Sequence, residues 1–420
     1  MEFTNSIFDV FDSPSNFNAL LLGQSGSGKS FLMGLLSSNY FKKGYDVILF
    51  DSGYSHVKLG KILGRHIDFT LDKPISVNPF ALIKNKCDLD EHLDGLRHFI
   101  CGIANINIDS EKYRYYAVHI EQSIIELWNV YKDKLELSHF ANKFKTSDDL
   151  IELGKAIEIF DIKYGDFFKS ESKIDFNGYT VIETSNLDDS PLLRDAVISA
   201  LYIHIFNKIS DKNSKRTVCF MDEYQKYLNS DFILSAIEPV FCRFRAHNAS
   251  VIVSIQSFND IFLNNNGINR GNISIQGLDD VFLSNGKISR QGRVLLNNSA
   301  YKIFLRQSDE SWNYINNFYG QSADLNRIGM YSSVLHSEYE KYSEAVVYYP
   351  FKDDHPVFPS DIKILKIKPE TKFEYYLLSS LMSDNVKINK YLPEVTNIKN
   401  AAGTDIANAI NEVVKNTENV

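Results

Sequence analysis

The residues best suited to chemistry come early, in the run Gly23-Gln24-Ser25-Gly26-Ser27-Gly28-Lys29-Ser30. Glycines at this spacing let successive backbone N–H groups turn inward on a di- or triphosphate, Lys29 adds a point charge, and Ser30 offers a hydroxyl to Mg²⁺. The apolar stretch Ala19-Leu20-Leu21-Leu22 predicts a buried strand leading into the loop. Phe31-Leu32-Met33-Gly34-Leu35-Leu36 predicts a helix leading out of it, whose positive end strengthens the cradle. Residues 23 to 30, with Phe31 as the first helical neighbour, are the predicted nucleotide-binding set. A Gly/Ser-rich loop that binds nothing is the plainer alternative, and the flanking strand and helix weigh against it.

Nucleotide hydrolysis needs more than a cradle. Thr217-Val218-Cys219-Phe220-Met221 predicts an apolar strand ending in Asp222-Glu223. The first carboxylate is placed to steady Mg²⁺ beside Ser30, and the second to polarise an attacking water. Two acids at a strand end are common by themselves; the phosphate loop gives them meaning. A further strand, Ser250-Val251-Ile252-Val253-Ser254-Ile255, ends in Gln256, which suits a polar sensor of the γ-phosphate or an orienter of the water. A solvent-capped strand end is the plainer reading of that glutamine.

These residues must be positioned by a fold, and the chain has the size for one. Its 420 residues, 44% hydrophobic and 23% charged, can bury a large α/β core with a second module, which excludes a disordered chain. No apolar run has the length of a membrane span, and Met1-Glu2-Phe3-Thr4-Asn5 lacks signal-peptide character. Cys87, Cys101, Cys219 and Cys242 have no paired metal-ligand spacing and read as reduced structural residues. The ten histidines form no HExxH pattern, so no metal beyond nucleotide-bound Mg²⁺ is expected. A formal net charge of −8 argues against a surface dominated by nucleic-acid attraction. Lys287, Arg290, Arg293, Lys302 and Arg306 cluster modestly, most simply as a solvated face, so DNA contact stays a secondary reading.

Along the chain, predicted strands alternate with helices, the signature of a parallel sheet covered on both faces. Tyr45-Asp46-Val47-Ile48-Leu49-Phe50-Asp51 and Tyr179-Thr180-Val181-Ile182-Glu183 add strands ending in acids. Between them, residues 86–170 change character: apolar positions from 113 to 132 recur at three- and four-residue spacing, which predicts an all-helical insertion. Residues 1–85 and 171–390 then form the nucleotide-binding domain, with a helix over 194–209. Later expectations are an Asn- and Gly-rich loop over 264–286, a strand at 301–306, an antiparallel strand at 344–349, a helix over 370–381, and a tail or docking helix over 391–420.

The order of these motifs resembles the C-terminal motor domain of TraC-type conjugation ATPases, which group with the VirB-type ATPases of type IV secretion systems among the HerA/FtsK P-loop motors. The resemblance rests on residues 23–30, Asp51-Ser52-Gly53-Tyr54-Ser55, Val77-Asn78-Pro79-Phe80, Glu183-Thr184-Ser185-Asn186-Leu187, Phe220-Met221-Asp222-Glu223, Ser254-Ile255-Gln256-Ser257, Leu295-Leu296-Asn297-Asn298 and Ile303-Phe304-Leu305-Arg306-Gln307. It implies a RecA-like, doubly wound, mainly parallel sheet with a helical insertion, ATP and Mg²⁺ as cofactors, and ATP hydrolysis. It also implies a homo-hexamer in the cytoplasm, held peripherally at the inner membrane by secretion components and a coupling protein. A DNA translocase of the HerA/FtsK kind and a non-catalytic nucleotide-gated scaffold stay open as alternatives.

The family pattern is not matched everywhere. Tyr224-Gln225 follows the acid pair where Ala-Trp is frequent, Glu183 stands where Asp is usual, and the N-terminal docking domain of family members is not represented, so the chain reads as a motor-domain portion. Motors of this group place a neighbour's arginine on the γ-phosphate. Arg243 and Arg245, just before the sensor strand, resemble that interface position, with a surface pair on an amphipathic helix as the plainer reading and Arg306 as a further candidate.

Overall fold

The computed structural model describes residues 2–4, 9–13, 15–106, 110–169, 174–211, 213–228, 230, 232–233, 241, 243–261, 290–319, 343–348, 362–367, 369, 375 and 377–379. The expected loop over 264–286, Cys242, Lys287, most of the 370–381 helix and the tail over 391–420 lie outside them.

In chain order the strands are β1 (Glu2–Thr4), β2 (Ala19–Leu22), β3 (Asp46–Asp51), β4 (Arg65–Asp68), β5 (Tyr179–Glu183), β6 (Thr217–Met221), β7 (Ala249–Ile255), β8 (Tyr301–Phe304), β9 (Ser343–Tyr348) and β10 (Ile362–Ile367). They form one sheet in the order β1-β10-β9-β8-β2-β7-β6-β3-β5-β4. The seven strands from β8 to β4 pair in parallel, and β9 runs antiparallel between β8 and β10. Every residue of β2, β3, β5, β6 and β7 is buried, as expected of parallel strands covered on both faces.

One face is covered by α1 (Lys29–Lys42) and α2 (Val57–Leu63), which contribute Leu32, Leu36, Leu59 and Ile62 to a cluster with Leu21, Leu49, Val181 and Phe220. The other face is covered first by α7 (Pro191–Ser210), started by Pro191 at its first turn and buried along most of its length. Four helices precede it: α3 (Lys86–Ile103), α4 (Glu111–Tyr131), α5 (Leu137–Phe144) and α6 (Ile151–Tyr164). Asn85 and Ser110 cap α3 and α4 by accepting from Asp88 and Tyr113 N–H. Asn78 ties the segment down, accepting from Phe80 N–H and donating to the Leu135 carbonyl. Phe99, Ile120, Phe140, Ile157 and Phe168 of this stretch share one hydrophobic cluster with Ile198, Leu201, Ile48 and Val253, so its apolar surface is continuous with that of the sheet. Helices α8 (Arg290–Asn298) and α9 (Asp309–Tyr319) flank β8.

Because the central strands are parallel, their carboxyl ends lie along one edge. That edge gathers the ends of β2, β3, β5, β6 and β7, where ligands bind in open α/β sheets. Among the described residues, no helix is long and apolar enough to cross a membrane.

Candidate active site

The phosphate loop bridges β2 and α1 and is fixed to both neighbouring strands. Gly23 N–H donates to the Ile255 carbonyl at 3.2 Å and Gln24 N–H to the Arg306 carbonyl at 2.9 Å. Gly26 and Gly28 have φ of 76° and 94°, a region that disfavours any residue with a Cβ, and Gly28 caps α1. A Cβ on Gly26 would meet nothing within 4 Å, so the left-handed backbone, not crowding, is what favours glycine there. Lys29 is 5% exposed, and its Nζ donates to the Gln24 carbonyl. Burial lowers its pKa, while Glu223, Asp222 and Asp260 oppose that drop.

At the end of β6, three side chains reach Asp222. Ser30 Oγ donates to Oδ2 at 2.8 Å, Ser254 Oγ donates to Oδ1, and the His56 imidazole lies 3.4 Å from Oδ2. Burial alone would raise this carboxyl. The His56, Ser254 and Ser30 contacts outweigh it and hold the pKa down at about 2, so Asp222 stays ionised. A serine hydroxyl in contact with an ionised carboxylate is the donor set that suits Mg²⁺, and Ser30 and Asp222 fit that ion.

Glu223 stands beside it with φ 53°, a left-handed backbone unusual for a side-chain-bearing residue. Its N–H donates to Asp222 Oδ1 and to Ser254 Oγ. Its Oε2 accepts two amides at once, Gln256 Nε2 at 2.5 Å and Gln225 Nε2. The structure therefore gathers Ser30, Asp222, Glu223 and Gln256 within one hydrogen-bonded group, with Lys29 next to Ser30 and in the field of Glu223 and Asp222.

Arg243 and Arg245 are not part of that group. Both are exposed and lie at the opposite edge of the sheet, on the turn leading into β7. The Arg243 guanidinium sits 5.9 Å from the Phe206 ring near the end of α7. The seven residues of β7 separate them from Gln256, a span of about 20 Å. Neither serves the phosphate loop of its own chain. Arg306, given less weight from the sequence, is the arginine at the loop's own rim: exposed, with its carbonyl bound to Gln24.

Four further residues belong to this cluster although the sequence gives them no role in it: His56, Asp51, Ser254 and Gln225. His56 is 2% exposed, and its N–H donates to Asp51 Oδ2 at 2.7 Å. Burial works against its protonation, yet Asp51 and Asp222 raise its pKa overall. Asp51 itself is pushed up to about 6 by burial, with Glu183 and Asp222 adding to the rise and His56 opposing it. Ser254 and Gln225 complete the set. Next along the edge, Glu183 accepts from the N–H groups of Gly53, Tyr54 and Ser185 and so shapes the loop after β3. Lys226, three residues past Glu223, pairs with Asp188 and reaches Ser52. A cavity of about 630 Å³, lined among others by Asp46, Asp88, Asn207 and Lys208, holds none of these groups.

Residues 8–154 match the family described as the TraG P-loop domain. Over 330 residues the chain is 24% identical to the protein TraC of Escherichia coli K12, covering 73% of this chain and 34% of that one. It thus spans about a third of the length of that curated relative. The fold is similar to VirB4 of Thermoanaerobacter pseudethanolicus, with a TM-score of 0.60 at 16% identity over 88% of this chain and 94% of that one. It is also similar to the plasmid coupling protein TrwB bound to a non-hydrolysable ATP analogue, with a TM-score of 0.54 at 14% identity over 84% and 85% of the two chains. TrwB has been solved with ADP and Mg²⁺ as well. These likenesses bear out the expected RecA-like fold and the resemblance to TraC- and VirB-type proteins.

Proposed function

From kinship with TraC- and VirB4-type conjugation ATPases, we propose that this chain is the ATP-hydrolysing motor of a type IV secretion or conjugation machine. The observation that carries the reading is the 2.8 Å bond from Ser30 to Asp222, which joins the phosphate loop to the β6 carboxylate beside Glu223. Lys29 would face the β- and γ-phosphates, and Ser30 with Asp222 would hold Mg²⁺. When bound, that ion neutralises charge that develops on the transferred phosphoryl group. Glu223 takes the proton of the attacking water, and Gln256 contacts the γ-phosphate.

The shared acceptor gives this chemistry an order. While Gln256 and Gln225 both donate to Glu223 Oε2, that oxygen is engaged. Turning Gln256 towards a γ-phosphate frees a lone pair for the water, so the sensor and the base respond to the same event. In this reading residues 1–85 and 171–390 form the motor, and the helices within 86–170 pass its movement to partners. Those partners are further copies in a hexamer, inner-membrane secretion components and a coupling protein. They would hold a cytoplasmic motor at the membrane.

Lys29→Ala tests the cradle. Losing a charge-assisted contact to phosphate should weaken ATP binding by roughly tenfold to a hundredfold. Titration with a fluorescent ATP analogue measures this, and unchanged affinity would remove Lys29 from the site.

A further inference from the structure

We infer that His56 is a positioning residue that sets Mg²⁺ affinity by holding the Asp222 carboxylate in its metal-binding orientation. The inference rests on the hydrolysis reading, since it assigns Asp222 to the metal. His56 has no part in the phosphate loop or in the acid pair, yet its imidazole is buried against Asp222 Oδ2, the oxygen that Ser30 also contacts. Two anchors fix it there. Its backbone N–H is bound by Asp51 Oδ2 at the end of β3, and the preceding loop is gripped by Glu183 through the N–H groups of Gly53 and Tyr54. Strand β3 lies next to β6 in the sheet, so this loop delivers an imidazole across to the neighbouring strand end.

Four contacts divide the carboxylate. Ser254 Oγ and the Glu223 N–H hold Oδ1, while Ser30 and His56 share Oδ2, so the plane of the carboxylate is set from both sides. A ligating carboxylate fixed in this way needs no reorganisation when the ion arrives, and removing such outer partners typically lowers metal affinity about 10- to 100-fold. His56 does not touch the phosphate cradle in this arrangement, so binding of nucleotide without metal should not depend on it.

The experiment compares His56→Asn with His56→Gln in the full chain. Both side chains carry an amide donor, but only glutamine reaches as far as the imidazole Nε2. Binding of a fluorescent ATP analogue is measured in excess chelator, and Mn²⁺ binding to the nucleotide-loaded protein is followed by electron paramagnetic resonance. The expected result is a 10- to 100-fold loss of Mn²⁺ affinity for His56→Asn, near wild-type affinity for His56→Gln, and metal-free nucleotide affinity within about twofold for both. If the two variants bind Mn²⁺ alike, or metal-free nucleotide binding falls along with metal binding, His56 is a packing residue and the inference is overturned. Absence of nucleotide binding by the wild-type chain would instead count against the hydrolysis reading itself.

Discussion

Replacing Glu223 by glutamine is expected to leave ATP bound and to lower turnover by on the order of 10²- to 10⁴-fold. The amide keeps the shape of the side chain and its place beside Asp222, but it cannot take a proton from water. Its backbone contacts to Asp222 and Ser254 involve only the N–H, so the left-handed turn at position 223 should persist. ATP affinity and steady-state phosphate release, measured on the same preparation, separate the two effects. Release at near wild-type rate would remove Glu223 from the mechanism. A joint loss of binding would mean that the substitution disturbs the phosphate loop rather than the chemistry.

The second large effect concerns assembly. Arg243 and Arg245 lie about a strand's length from their own phosphate loop, so any contact they make with a γ-phosphate must be with a neighbour's. An arginine supplied in trans contributes on the order of a thousandfold or more to turnover. Specific activity should therefore climb with protein concentration and collapse in the Arg243→Ala/Arg245→Ala double variant. Mixing that variant with Glu223→Gln subunits should restore part of the activity, because some interfaces then pair an intact arginine with an intact glutamate. Arg306→Ala is the necessary comparison, as Arg306 sits at the rim of its own chain's loop. Activity that is independent of concentration, unrescued by mixing and lost in Arg306→Ala would place the charge in cis.

Much of this site is legible in the sequence because its parts are local. The loop from Gly23 to Ser30 carries its own strand and helix, and Asp222, Glu223 and Gln256 stand where apolar runs end. What is hidden depends on strand order. His56 reaches Asp222 only because β3 pairs with β6, although the two residues are 166 positions apart. Ser254 reads as one of two serines in an otherwise apolar strand, and only the β6–β7 pairing brings it to Asp222. The remoteness of Arg243 and Arg245 has the same origin: proximity in sequence to β7 puts them at its beginning, not at the end that carries Gln256.

The fold was readable to a similar extent. Apolar runs announce the central strands and the periodicity of residues 113 to 132 announces α4. Strand β4 is different, since Arg65-His66-Ile67-Asp68 has a single aliphatic residue and none of its positions is fully buried. It exists because β5 offers it an open edge. Periodicity also could not say what the helices before α7 rest on. Their shared cluster with Ile48 and Val253 is a tertiary fact.

Multiple-turnover phosphate release by the wild-type chain, with ATP and Mg²⁺ at concentrations that span its assembly, tests the central claim most directly. The account expects steady release over many turnovers, stopped by chelating the metal. A chain that binds ATP tightly yet releases no more than one phosphate per site would contradict it, and would identify a nucleotide-gated scaffold in place of a motor.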